Sequence, residues 1–179
     1  MLLENSQIRL RALEPEDLEL LYQWENNSEL WIYGSTVSPY SKLALRQYIN
    51  DSLEMDIYQS KQLRLMIDIV GENTTIGTVD LYDINMRNKN AGIGILIDEA
   101  YRNRKYASQA LELMREYAFN FLKLHQLYAY IGVNNKPSLK LFENIGYSPV
   151  GILKDWIQLM DDNYEDVLVT QLINGQINE

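Results

Sequence analysis

YRNRKYASQAL, residues 101–111, begins as a turn and ends as a helix. It follows the short apolar run IGILI at 93–97, which reads as a strand. Two arginines and a lysine therefore stand where a strand hands over to a helix. A helix N-terminus leaves backbone N–H groups unpaired and carries partial positive charge, so phosphate groups dock there readily. Arg102, Arg104 and Lys105 would add full charges to that dipole. A solvated basic turn would look the same, so the surrounding elements decide between the two.

Upstream, LRLMIDIV (63–70), TIGTVDLYDI (75–84) and AGIGILID (91–98) read as three strands, separated by the turn GENT and the polar loop NMRNKN. IRLRA (8–12) alternates apolar and charged residues, as a half-buried strand does. EPEDLELLYQWE has Pro15 near a helix start, with Leu18, Leu21, Tyr22 and Glu25 on one face. SKLALRQYINDSLEMDIY (41–58) reads as a second helix, with Leu45, Tyr48, Ile49 and Leu53 at helical spacing. Downstream, Ala110, Leu111, Met114, Ala118, Phe121 and Leu122 form the apolar stripe of the helix that 101–111 opens. QLYAYIGV (126–133) is a strand. NNKPSLKLFENIG (134–146) is a short helix, with Asn at its start, Pro137 in its first turn and Gly146 past its end. YSPVGILKDWIQL and YEDVLVTQLI close as an antiparallel pair around a turn at Asp161–Asn163. The order β-α-α-β-β-β-α-β-α-β-β describes one mixed α/β domain, 1–179, around a single sheet.

Composition narrows the chemistry. Hydrophobic residues at 46% and charged residues at 23% suit a globular fold with a proper core. No apolar run reaches membrane-spanning length, and MLLENSQIRLRAL is not a secretory signal, so a cytoplasmic protein with no membrane partner is expected. The absence of cysteine and the single histidine, His125, argue against a thiol nucleophile and against a metal site. Sixteen basic against twenty-five acidic residues give a net charge of −9, which argues against nucleic-acid binding. The acid is uneven: residues 1–60 carry ten acidic and four basic side chains, and 154–170 carry five acids against one base. Such regions attract cations, or simply keep a protein soluble.

Strand, then R-x-x-x-x-A at a helix start, then strand, then N-x-x-S-x-x-x-F-x-x-x-G-Y on the next helix resembles the GNAT N-acetyltransferase family. Arg102 and Ala107 match the ends of the family's pyrophosphate loop, and Asn135, Ser138, Phe142, Gly146 and Tyr147 match its second signature. The opening IRLRALEPEDLELLYQWEN is similar to the branch that holds the spermidine/diamine and ribosomal-protein-alanine acetyltransferases.

The resemblance implies the GNAT fold, a mostly antiparallel central sheet flanked by about four helices. It also implies acetyl-CoA as cofactor. Backbone groups of the strand around Ile95, Leu96 and Ile97 would meet the pantetheine arm. The amides of Arg102, Asn103, Arg104, Lys105, Tyr106, Ala107 and Ser108 would hold the pyrophosphate. Asn135, with Ser138 and Phe142 on the same helix, would line the arm. The strands ending near Ile97 and Gln126 would splay to admit it.

Two positions depart from the family pattern. The loop's central glycine is Lys105 here, which is costly if the loop needs positive φ. Many relatives have a tyrosine where Phe142 stands, and phenylalanine has no proton for the leaving thiolate; Tyr147, Tyr128 and Tyr130 are candidate replacements. The implied reaction is attack of a neutral amine on the thioester. Candidate bases are Glu25, Glu29, Asp80 and Asp83, with Glu25 and Asp80 preferred. WENNSELWIYG mixes acids with aromatic rings, which suits a cationic amine: Glu29, Trp31, Tyr33, Tyr40 and Asp83 are the candidate acceptor contacts, and Trp156 and Tyr164 could complete the pocket. Core packing of the tryptophans beside solvated acids is the plainer account of the same residues. A small cationic amine such as spermidine is the expected acceptor; a protein N-terminus, or a non-catalytic module that holds CoA or a polyamine, is the alternative. The closing hairpin could pair with another copy.

Overall fold

A computed structural model describes residues 2–34, 36–159 and 162–175. Strands β1 (Ile8–Ala12), β2 (Leu63–Ile69), β3 (Thr75–Asn85), β4 (Asn90–Ile97), β5 (Gln126–Gly132), β6 (Ser148–Gln158) and β7 (Tyr164–Ile173) form one sheet in the order β1-β2-β3-β4-β5-β7-β6. Every adjacent pair is antiparallel except β4 and β5, which run parallel. The helices are α1 (Leu18–Glu25), α2 (Ser28–Trp31), α3 (Lys42–Glu54), α4 (Ile57–Ser60), α5 (Tyr106–Glu116) and α6 (Lys136–Asn144). The expected order of elements is present, and the two single-turn helices α2 and α4 are additions to it.

Each addition has a local cause. The Asn27 side chain accepts from the Glu29 N–H and starts α2. The expected helix over 41–58 stops at Met55, because the Asp56 carboxylate accepts from the N–H groups of Tyr58 and Gln59 and restarts the chain as α4. Of the turn expected at Asp161–Asn163, Asp161 lies outside the described residues.

The two faces of the sheet bury different clusters. Ala91, Ile93 and Ile97 of β4 face Ala110, Leu111 and Met114 of α5, and Phe142 of α6 joins the same cluster. On the other face Met66 packs with Leu18, Leu21 and Trp24 of α1 and Leu45 and Ile49 of α3. Each of the leucine, isoleucine, methionine and phenylalanine side chains among them contributes roughly 1.5–3 kcal/mol when fully buried. Three expected core positions are corrected. Tyr22 faces solvent and Trp24 takes its place inside, and Leu53 is exposed. Phe121 is exposed and Phe119 is buried, because α5 ends in a π-helical turn at Tyr117–Phe121 that shifts the phase of the apolar stripe.

β1 is tied to the rest by charge. Arg11 grips Asp17 with two nitrogens at 2.7 and 2.8 Å and reaches Asp68 with Nε at 2.8 Å. Burial pushes the Asp68 carboxyl up; hydrogen bonds from Arg11, Thr75 and Arg9 more than offset this and leave it below its ordinary 3.8. A carboxyl depressed in the folded state adds stability above its unfolded pKa, and that stability is lost as pH falls through the folded value. The gap in urea midpoint between the native chain and Asp68→Asn should therefore be constant above about pH 5 and narrow below about pH 4. A gap independent of pH down to 3 would show that the pairing contributes nothing.

Candidate active site

The parallel pairing of β4 with β5 lasts three positions, Asn90↔Gln126, Ala91↔Leu127 and Gly92↔Tyr128. β4 then continues to Ile97 and β5 to Gly132 without pairing to each other. The expected splay is present, with one correction: it opens toward Ile97 and Gly132, and Gln126 sits at its closed end. The Asp98 N–H donates to the Ile76 carbonyl on β3, so strand alternation turns the backbone groups of Ile95 and Ile97 toward the gap. The Val133 N–H donates to the Asp166 carbonyl, which follows β7's described start, so Tyr130 and Gly132 face the gap from the other side. The slot is lined by main-chain donors and acceptors, as an extended amide-bearing arm requires. Leu96 points away from the α5 side, toward α1 and α3.

At the open end the chain makes a one-turn 3-10 helix, Glu99–Tyr101, then the basic turn. The Arg102 Nε donates to the Ile97 carbonyl at 3.1 Å, and the Arg104 guanidinium lies over the Tyr101 ring at 5.5 Å. Asn103 has φ 62° and Lys105 φ 65°. Lys105, at the position of the family's glycine, thus holds a left-handed conformation, at a cost of roughly 1 kcal/mol. Lys105 is the N-cap residue of α5 but gives no side-chain cap, and the Ser108 hydroxyl turns back to the Lys105 carbonyl at 2.9 Å. The N–H groups of Tyr106, Ala107 and Ser108 therefore open an eleven-residue helix uncapped, beside three exposed cations. That arrangement fits a pyrophosphate.

On the far side of the gap, the Asn135 Oδ1 caps α6 by accepting from the Ser138 N–H at 3.2 Å. Its Nδ2 donors are the groups left for a cofactor. Phe142 is 4% exposed and sits edge-on to the Tyr147 ring at 5.0 Å. Tyr147 is 3% exposed, and its hydroxyl finds no hydrogen-bond partner among the described residues. Burial pushes this phenol well up, so it holds its proton but lies sealed in the core.

The candidate bases Glu25 and Asp80 share one cation. Arg64 Nη1 meets Glu25 at 2.6 Å, and its Nε and Nη2 grip Asp80 at 2.8 and 3.2 Å. Burial pushes the Arg64 guanidinium down, but Asp80, Tyr48 and Glu25 outweigh it and hold the charge. A carboxylate that took an amine proton here would give up its ion pair. Asp83 is different: it is exposed, has φ 49° in the irregular pairing after Tyr82, and acts on the phenols of Tyr82 and Tyr128. Tyr128 and Tyr130 share the sheet face of Gly92, with their rings 5.5 Å apart, and Tyr82 meets Tyr128 at 6.1 Å.

Most of the remaining candidates lie in the segment between α1 and α3. Glu29 is exposed in the first turn of α2, the Trp31 Nε1 donates to the Glu25 carbonyl at 2.8 Å, and Tyr33 and Tyr40 are exposed. Trp156 and Tyr164 stand exposed on the β6–β7 hairpin. A cavity of about 410 Å³ lies between α1–α2 and the end of β4, lined among others by Gln23, Trp24, Asp98, Glu99 and Arg102. The Trp24 Nε1 donates to Asp98 at 2.9 Å across it. Asp98, Gln23, Arg64 and Tyr82 were not singled out from the sequence. Strand alternation with Asp80 was the signal for Tyr82; Arg64 gave none before its register opposite Asp80 was known.

Residues 7–148 match the family model described as an acetyltransferase (GNAT) domain. The spermidine N(1)-acetyltransferase of Escherichia coli K12 is 28% identical over 146 residues, 82% of this chain and 75% of that protein. A crystal structure of spermidine N-acetyltransferase from Vibrio cholerae with CoA and spermine superimposes with a TM-score of 0.83 at 28% identity, covering 94% of this chain and 96% of that one. A dodecameric structure of the V. cholerae enzyme superimposes at 0.78 and 27% identity, covering 94% and 95%.

Proposed function

The chain belongs to the GNAT acetyltransferase family and is an acetyl-CoA-dependent N-acetyltransferase, and from that premise we propose that its acceptor is a polyamine of the spermidine type. One observation carries the proposal: Asp83 stands exposed beside Tyr82, Tyr128 and Tyr130 at the closed end of the splay. A carboxylate among tyrosine rings suits an ammonium group by charge and by cation–π attraction. The likeness to the E. coli and V. cholerae spermidine acetyltransferases supports the same acceptor.

The residues divide the work as follows. The N–H groups of Tyr106, Ala107 and Ser108, with Arg102 and Lys105, would hold the pyrophosphate of acetyl-CoA. The Ile95 and Ile97 main chain and the Asn135 amide would hold its pantetheine arm. Acetyl-CoA supplies an activated thioester. The Ile95 N–H, turned into the gap, would polarise a carbonyl placed there. Asp83 and the tyrosines would hold the acceptor's second ammonium group, and solvent at the open face would take the proton of the reacting amine, since Glu25 and Asp80 are committed to Arg64.

If Asp83 and the rings select a second positive charge, spermidine should exceed propylamine in kcat/KM by at least about tenfold, the worth of one such contact. Asp83→Asn should remove most of that advantage and leave propylamine unchanged. Equal kcat/KM for both amines in the native chain would overturn the polyamine reading. Cytoplasmic location and a homo-oligomer belong to the same proposal. No helix among the described residues is long and apolar enough to cross a membrane. β6 is an eleven-residue outer strand with Val150, Ile152 and Trp156 exposed, the kind of edge that another copy covers.

A further inference from the structure

Tyr82 crosses a strand to reach the gap. It pairs with Gly92 in the β3–β4 ladder, and its ring occupies the space beside that residue: a Cβ at position 92 would overlap Cε2, Cζ and Cδ2 of the ring. The ring also passes within 3.9 Å of where a Cβ on Gly94 would stand. Beyond β4 the phenol approaches the backbone of Tyr130. Tyr130 lies two positions past Tyr128, the last β5 residue that pairs with β4, and its own N–H faces the gap. The Tyr82 hydroxyl therefore sits at the vertex of the splay, where a main-chain ladder would otherwise continue. Two other candidate phenols do not offer this. Position 142 is a phenylalanine, Tyr147 is sealed in the core, and Tyr130 turns half its surface to solvent.

We propose that Tyr82 is the proton donor to the departing thiolate of CoA, in the place left by Phe142. As the amine nitrogen bonds to the acetyl carbon, the carbon–sulfur bond breaks and its electron pair stays on sulfur. The Tyr82 O–H proton passes to that sulfur. The surplus proton on the new amide nitrogen returns, through water, to the phenolate. The net change is one amide and one thiol from one thioester and one amine. Burial, with Tyr128, Tyr130 and Asp83 nearby, pushes the Tyr82 phenol up, so the proton is present across the physiological range. Gly92 has a role in this arrangement: it is the gap in side chains through which the ring passes.

The test is Tyr82→Phe, which keeps the ring. With acetyl-CoA the variant should lose about a hundredfold in kcat, the usual worth of general acid help, with KM for acetyl-CoA unchanged. With an acetyl thioester whose thiol is far more acidic, and which needs no proton to leave, the loss should shrink below about threefold. A second readout needs neither turnover nor an acceptor. The thiol of CoA bound to the native protein, followed by its ultraviolet thiolate absorbance, should titrate at lower pH than on Tyr82→Phe, because the phenol donates to the thiolate. Adding Phe142→Tyr to Tyr82→Phe should restore much of the lost rate if the new hydroxyl reaches the same sulfur. Equal losses with both thioesters, or the same thiol titration on both proteins, would overturn the proposal. Failure of spermidine as acceptor would leave the thiol titration untouched, so the two readings fail separately.

Discussion

Arg64→Ala is expected to lose about 3 kcal/mol of folding stability, the cost of stripping a shared cation from partly buried carboxylates. Arg64 and both of its partners are mostly shielded, with 22% and 24% of their side chains exposed. The guanidinium joins α1, through Glu25, to β3, through Asp80, and lies over the Tyr48 ring of α3 at 5.5 Å. Removing it leaves two like charges facing each other with no counterion, and takes away the packing of its stem. Arg64→Lys keeps the charge but cannot grip Asp80 with two nitrogens, so it should recover only part of the loss. Urea midpoints of the three proteins would decide it. A loss below about 1 kcal/mol for Arg64→Ala would place the cluster among solvent-screened surface pairs. It would also return Glu25 and Asp80 to the list of available bases.

Lys105→Glu is expected to weaken acetyl-CoA binding on the order of a hundredfold. Reversing one charge about 6 Å from a doubly charged pyrophosphate costs roughly 3 kcal/mol in a water-like dielectric. Lys105 also holds positive φ, so Lys105→Gly separates two effects. It removes the cation but suits the left-handed backbone. Its affinity should fall only about tenfold, half the free-energy cost of the reversal, and the backbone strain should be relieved. Isothermal calorimetry on the three proteins measures both differences. An unchanged Kd in Lys105→Glu would mean that the uncapped start of α5 does not carry the pyrophosphate.

The fold was legible because its punctuation is local. Pro15 and Pro137 open helical segments, Asn135 caps α6, and Gly146 at φ 96° closes it. The apolar runs AGIGILID and QLYAYIGV placed β4 and β5. The errors also have local causes. A π turn displaced Phe121, and a second cap at Asp56 split one expected helix. The site was less legible because it depends on register. Glu25 and Asp80 looked like free acids until Arg64 was found opposite Asp80. Asp83 looked like its neighbour Asp80, yet the irregular pairing after Tyr82 turns it outward beside the tyrosines. Alternation put Tyr82 on the face of Asp80, but only the ladder to Gly92 shows its ring crossing β4. The basic turn was found from sequence, but the positive φ at Lys105 answered the question that its lysine raised.

We propose that this acetyltransferase delivers acetyl groups to a polyamine. A single-vessel competition tests it most directly: the full chain, acetyl-CoA, spermidine and a peptide beginning with alanine, with products read by mass. Acetylated spermidine is expected to accumulate with stoichiometric release of CoA while the peptide stays unmodified. Acetylated peptide beside untouched spermidine would contradict it.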